Sequence, residues 1–228
     1  GDIAPLEELA ALTRSRGARL IVDEAHATGC VGPGGRGAVA EAGLDGEEHV
    51  VVVGTLGKAL GAYGAFVAGS DAVRELLVNT ARPFIFSTAP PPPAVAGALA
   101  ALELLEEQPA RVGLLGDNAR TLRDELAREG FDVAGSSTQI IPIVVGDAVQ
   151  AMAICEAALA RGVFAQAIRP PTVPDGTSRL RLAVMASHTK EELREAARTL
   201  GRAALQAGFR PADRMPVAAA GRPAIRVA

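Results

Sequence analysis

Two short stretches of this sequence carry side chains able to do chemistry together. Asp23-Glu24-Ala25-His26 closes one apolar run, and Thr55-Leu56-Gly57-Lys58 closes the next. If each run is a buried strand, the motifs place a carboxylate, an imidazole, a hydroxyl and an amine on one edge of a parallel sheet. Pyridoxal phosphate (PLP) needs such a set: a carboxylate for its protonated pyridine nitrogen, a hydroxyl for its phosphate and a lysine for a Schiff base.

Each residue also has a plainer reading. A strand-end Asp such as Asp23 commonly caps the turn or helix that follows. His26 read alone is a surface or structural histidine, and Lys58 read alone is a lysine snorkelling into water. The cofactor reading gains weight from their convergence, and from Gly54, Gly57, Gly61 and Gly64, which let backbone approach a ligand closely. In the C-terminal half, Arg169-Pro170-Pro171-Thr172 follows one predicted strand and Ser178-Arg179-Leu180-Arg181 opens the next. Arg179 and Arg181 are either an exposed edge-strand face or the grip on a substrate carboxylate.

Two look-alikes fail. Asp-Glu-Ala-His names a group of helicases, but their ATP chemistry needs a G-x-x-x-x-G-K-[ST] loop, which the sequence lacks, and Lys58 is followed by Ala59. The dinucleotide fingerprint G-x-G-x-x-G is absent too. A net charge of -3 gives no electrostatic case for nucleic acid or an anionic membrane, and there is no stretch of about 18 apolar residues that could span one. Only Cys30 and Cys155 occur, without metal-ligand spacing, and no signal peptide pattern opens the chain; the expected setting is cytoplasmic.

The elements that must position these residues follow from periodicity. A helix is expected over 5–16, opened by Pro5 with Glu7 and Glu8 in its first turn and ended by Gly17. Residues 19–22 and 50–53 read as buried strands, 65–68 as a third, and Ser70-Asp71 as the cap of another helix. This alternation implies an α/β fold with a parallel or mixed sheet and helices on both faces. The run Pro90 to Pro93 is the expected junction, dividing a first domain (1–90) from a second (91–210) that begins with a connecting helix at 94–107. In the second domain helices at 111–129, 147–161 and 189–207 alternate with strands at 139–145, 163–168 and 179–185. Residues 211–228 are expected to form a disordered tail. At 228 residues, 49% hydrophobic, the chain can bury a core, and its start at Gly1 reads as mid-domain.

Taken together, Val22 to Gly29, Gly35-Arg36-Gly37, Gly54 to Gly61, and Ile168 to Pro174 with Arg179-Leu180-Arg181 resemble the α-oxoamine synthases, PLP enzymes of the aspartate-aminotransferase fold (type I), and most of all their biotin-pathway branch. The resemblance covers roughly residues 1–208. It implies that Lys58 forms the internal aldimine, Asp23 pairs with the pyridine nitrogen, His26 contacts the ring 3-hydroxyl and Thr55 binds the phosphate. Ser87 and Thr88 match the position from which the second subunit of a homodimer completes the phosphate site. Arg181 matches the arginine that holds the amino-acid carboxylate, and Thr172 a substrate contact. The implied reaction condenses L-alanine with a pimeloyl thioester, on CoA or a carrier protein, with loss of carbon dioxide.

Two departures from the family pattern stand out. The family's N-terminal portion, with the group that stacks on the ring and further phosphate contacts, precedes nothing here. A chain truly starting at Gly1 is expected to be weakly active and to expose apolar edges. Cys30 stands where branched apolar residues are usual. The alternatives are another member of the family, such as a 2-amino-3-ketobutyrate CoA ligase, or an inactive fragment acting as a dimerisation module.

Overall fold

In the computed structural model, residues 1–133 and 135–211 are described; of the tail expected over 211–228, all but Pro211 lies outside them. The chain divides into two compact units, Ile3–Gly113 and the segment from Leu114 onward together with Gly1–Asp2.

The first unit opens with helix α1 (Leu6–Ser15), ended by Gly17, whose φ of 61° lets Ala18 N–H reach back to Thr13 O. Strand β1 (Leu20–Asp23) pairs in parallel with β2 (Val50–Thr55), and β2 pairs antiparallel with β3 (Ala65–Ala68). The sheet is therefore mixed. Between β1 and β2 lie a 3-10 turn (Pro33–Gly35) and the one-turn helix α2 (Ala38–Glu41). Leu6 and Ala10 of α1, Ala38 and Val39 of α2, Leu44, and Leu20 and Val50 of the sheet form one apolar cluster, joined by Val22 and Val52.

Helices were expected on both faces of this sheet. Only the face carrying Leu20, Val22, Val50 and Val52 meets α1 and α2; on the other face Ile21 is 68% exposed and Val67 49%. The unbroken apolar runs of β1 and β2 make both faces of the pair apolar, and this second face is only partly open, since Val51 on it is buried.

Helix α3 (Asp71–Thr80) starts after Ser70, as expected, but the Ser70 hydroxyl makes no capping bond; Asp71 pairs with Arg74 instead. A short helix α4 (Arg82–Ile85) follows. The proline run does not precede the next helix but enters it: α5 (Pro92–Glu107) has Pro at its first positions, where a missing N–H costs nothing and φ is already helical. The connecting helix falls in the first unit by contacts, while the sequence boundary groups it with the second domain.

Helix α6 (Ala110–Arg128) leads into the second unit, where β4 (Ile140–Gly146), β6 (Ser178–Ala183) and β5 (Gln166–Ile168) form an antiparallel sheet with β6 in the middle. One face packs Ile141, Ile143, Leu180 and Leu182 against α7 (Ala148–Leu159) and α8 (Lys190–Gln206) through Ile154, Ala158, Leu200 and Ala204. Helix α8 begins with a capping box in which Thr189 and Glu192 satisfy each other's backbone N–H. The buried Asn118 on α6 holds the loop after β6: its Nδ2 donates to the carbonyls of Met185 (3.1 Å), Ala186 (3.3 Å) and His188 (2.7 Å). Lys190 Nζ adds a bond to Thr121 Oγ1 at 2.6 Å. Asn118→Ala strips a buried donor from these carbonyls, and urea unfolding is expected to show a loss of about 1–3 kcal/mol.

Candidate active site

Parallel pairing aligns the ends of β1 and β2, with Asp23 opposite Val53. Alternation then puts Asp23, Val53 and Thr55 on the open face of the sheet, and Leu20, Val22 and Glu24 on the packed one. Asp23 is exposed, and its Oδ1 accepts a hydrogen bond from Ala25 N at 2.9 Å, a turn-initiating bond. No ion pair to Asp23 exists among the described residues. The turn-capping reading holds: Oδ1 serves the turn, and the side chain stays exposed. His26 follows in the same turn, whose Ala27 and Thr28 N–H groups bond to Glu24 O.

Lys58 sits in the loop between β2 and β3. That loop is closed at its base by Leu56 N–H to Gly64 O and crossed by Gly61 N–H to Lys58 O at 3.0 Å. The Lys58 side chain is exposed and engages no hydrogen bond or ion pair among the described residues. Thr55 Oγ1 donates to Gly64 O (3.1 Å) and accepts from Gly57 N (3.2 Å), so it tightens the same loop. The structure thus brings Asp23, His26, Thr55 and Lys58 to one end of the sheet.

Ser87 and Thr88 are exposed beyond α4, and Ser87 Oγ donates to Thr88 O at 3.3 Å. No described contact joins them to the strand edge. Thr172 and Arg181 belong to the second unit. Arg181 is exposed on β6, flanked in register by Pro142 and Gln166, with Arg179 on the same side between Val144 and Ile168. Thr172 lies in the loop after β5, its N–H bonded to Arg169 O at 3.0 Å.

One residue of the motif has a role that reading by type passes over. Glu24, 2% exposed, accepts from Val39 N through Oε1 at 2.6 Å, at the start of α2. Burial raises its pKa first of all; the Val39 and Ala38 N–H groups oppose the shift and Asp45 adds to it. Period-2 alternation carried one residue past Asp23 was the signal, since it puts this carboxylate on the core side. Opposite it, Gly37 has a φ of 102°, and a methyl group there would strike the Glu24 carboxylate. Cys30 is half-buried with its thiol pushed up by burial, which makes it a poor nucleophile.

The side chains at the strand edge suit PLP on chemical grounds. They offer an exposed carboxylate and an unpaired amine, each unsatisfied by the other, around a hydroxyl and a glycine-rich loop. Among the described residues no cluster of His, Cys, Asp and Glu could hold a metal, and no helix is long and apolar enough to cross a membrane.

A family model described as "Aminotransferase class I and II" matches residues 1–200. The 8-amino-7-oxononanoate synthase of Anaeromyxobacter dehalogenans (strain 2CP-C) is 52% identical over 193 residues, 85% of this chain and 48% of its own length. That of Symbiobacterium thermophilum is 47% identical over 196 residues, 86% of this chain and 50% of its own. The chain spans about half the length of the curated relatives it matches. Among solved structures, serine palmitoyltransferase of Sphingomonas wittichii superposes with a TM-score of 0.84 at 33% identity, covering 91% of this chain and 52% of that one. An 8-amino-7-oxononanoate synthase from Francisella tularensis gives 0.75 at 26% identity, covering 89% and 59%. The α/β fold expected from the sequence is thus the fold of these proteins.

Because the folded state raises the Glu24 pKa, it binds more protons than the unfolded chain just above the ordinary glutamate value. Stability therefore falls as pH rises above the ordinary glutamate value, and Glu24→Gln is expected to flatten the fall in thermal midpoint. Gly37→Ala is expected to lower stability by about 1–3 kcal/mol, measured by urea unfolding.

Proposed function

This chain belongs to the aminotransferase class I and II family, and from that premise we propose that it carries the cofactor-anchoring half of a PLP-dependent acyltransferase that makes 8-amino-7-oxononanoate. Its substrates in this reading are L-alanine and a pimeloyl thioester, and its products include carbon dioxide and the free thiol of CoA or a carrier protein. The observation that carries the reading is the gathering of Asp23, His26, Thr55 and Lys58 at one sheet end, in a chain 52% identical to an 8-amino-7-oxononanoate synthase.

PLP, when bound, supplies the electron sink that makes the amino-acid α-carbon acidic. Lys58 is the residue to anchor it covalently, and the same amine, once released, is the base that takes the alanine α-proton. Asp23 is the carboxylate that would keep the ring nitrogen protonated. His26 bonds the ring hydroxyl. Thr55 has to turn its hydroxyl proton away from Gly64 O to reach a phosphate oxygen. Arg181, whose guanidinium engages no partner among the described residues, grips the alanine carboxylate that leaves as carbon dioxide, with Thr172 a further substrate contact.

A homodimer completes the proposal, with Ser87 and Thr88 serving the phosphate of the second copy. The adjoining Phe84, Ile85 and Phe86, exposed by 65%, 44% and 76%, form an apolar surface that a second copy can cover. Two free cysteines accord with a cytoplasmic setting. The likeness to serine palmitoyltransferase structures favours, as the second reading, another condensing enzyme of this kind with a different amino acid and acyl chain.

Borohydride reduction of the full-length protein with PLP, followed by peptide mass spectrometry, is expected to find a phosphopyridoxyl group on Lys58; its absence from the Lys58 peptide sinks the reading. Product from alanine and pimeloyl-CoA is expected, whereas turnover only of glycine with acetyl-CoA, or of serine with palmitoyl-CoA, moves the assignment to the corresponding relative. Arg181→Ala is expected to raise KM for alanine about 10- to 100-fold, the value of a hydrogen bond to a charged group. Mixing inactive Lys58→Ala protein with a Ser87→Ala/Thr88→Ala variant is expected to restore activity through shared sites.

A further inference from the structure

Glu24 lies between the two residues proposed to hold the cofactor, yet it faces away from them. The alternation that exposes Asp23 buries Glu24, whose N–H, carbonyl and carboxylate all engage backbone groups. Its N–H bonds to Val53 O at 2.7 Å, extending the β1–β2 ladder by one residue. Its carbonyl accepts from Ala27 and Thr28 N–H, both at 2.9 Å, which shapes the turn carrying His26. Its carboxylate accepts from Val39 N at 2.6 Å on the far side of the glycine-rich loop.

That loop is fastened to the turn elsewhere as well. Gly29 N–H bonds to Gly35 O at 2.7 Å and Gly37 N–H to Val31 O at 2.8 Å, and there is no room for a side chain at Gly37 because the Glu24 carboxylate fills it. No cation neutralises Glu24 among the described residues: Arg36, which lines the same cleft, is paired with Asp45. A carboxylate kept on the buried side without a counter-ion is costly, and a neutral side chain would fill the space more cheaply. What the carboxylate alone supplies here is a fixed acceptor for backbone N–H groups. Through it the turn is held, and with the turn Ala25 N, the donor that orients Asp23 Oδ1 at 2.9 Å.

We propose that Glu24 is the positioning residue for the cofactor-holding carboxylate: it locks the Asp23–Thr28 turn to the start of α2, so that Asp23 and His26 stand preorganised at the sheet edge. This rests on the reading of Asp23 as the partner of the PLP ring.

The test is a double-mutant cycle on PLP affinity in the full-length protein, read by absorbance titration and by borohydride trapping on Lys58. Glu24→Ala is expected to weaken PLP binding about 10- to 100-fold, as loss of a residue that orients a ligand-holding group commonly does. Glu24→Gln, which keeps an oxygen for Val39 N–H, is expected to lose less than about tenfold. In an Asp23→Asn background both changes are expected to cost clearly less than in the wild type, because Glu24 acts in part through Asp23. Full additivity with Asp23→Asn overturns the proposal. So does an equal loss of affinity in Leu126→Ala, a buried position of the second unit whose loss lowers stability without touching the turn. If Glu24→Ala yields no folded protein, the Glu24→Gln cycle decides on the same terms. Failure of the underlying reading is seen separately, as an Asp23→Asn protein that binds PLP as tightly as the wild type.

Discussion

Four in-register pairs, from Leu20 with Val50 to Asp23 with Val53, bind β1 to β2 in parallel, and everything at the candidate site hangs on that pairing. Parallel strands end on the same edge, so two loops separated by a long crossover leave the sheet side by side. One is the tight turn with His26, the other the glycine-rich loop with Lys58. Antiparallel return through β3 then anchors the second loop at both ends, since Thr55 pairs with Ala65 and Leu56 N–H bonds to Gly64 O. The amine is exposed, while the backbone that carries it is tied down.

The same pairing separates two consecutive carboxylates into opposite environments. Asp23 is exposed and accepts a single N–H; Glu24 is buried and accepts from Val39 N. Identical chemistry one residue apart is therefore placed outward at the candidate site in one case and inward at the supporting loop in the other. Glycine enters the second use directly, because Gly37 adopts a left-handed φ and leaves the volume that the Glu24 carboxylate occupies.

The second unit reaches a comparable end by antiparallel means. One face of β4, β6 and β5 is sealed by helices, and the other presents Arg179 between Val144 and Ile168 and Arg181 between Pro142 and Gln166. Asn118 and Lys190 secure the loop that follows β6, so the arginine-bearing strand is fixed beyond its own end. In the first unit Ile21 and Val67 on the sheet, and Phe84 and Phe86 after α3, leave apolar surface exposed.

Much of this was legible in one dimension. Apolar runs bounded by glycine and charge located α1, β1, β2 and β3 within a residue or two, because burial imposes a period that local chemistry cannot hide. Residue types also announced the site: an Asp, a His, a Thr and a Lys at strand ends are few enough to name. Local reading was weaker where two local rules compete. Four prolines read as a break, yet Pro92 and Pro93 open α5, since proline is barred from helix interiors but not from the first turn. Ser70 stands at a helix start by type, but its hydroxyl is not used there. The sequence by itself determined which side chains could hold a cofactor and on which strand ends they stand. Only the tertiary structure decided that the Glu24 carboxylate bonds to Val39, and that one face of the first sheet leaves Ile21 and Val67 exposed. Such facts depend on contacts between segments far apart in the chain, and a local pattern records the period of burial without recording what does the burying.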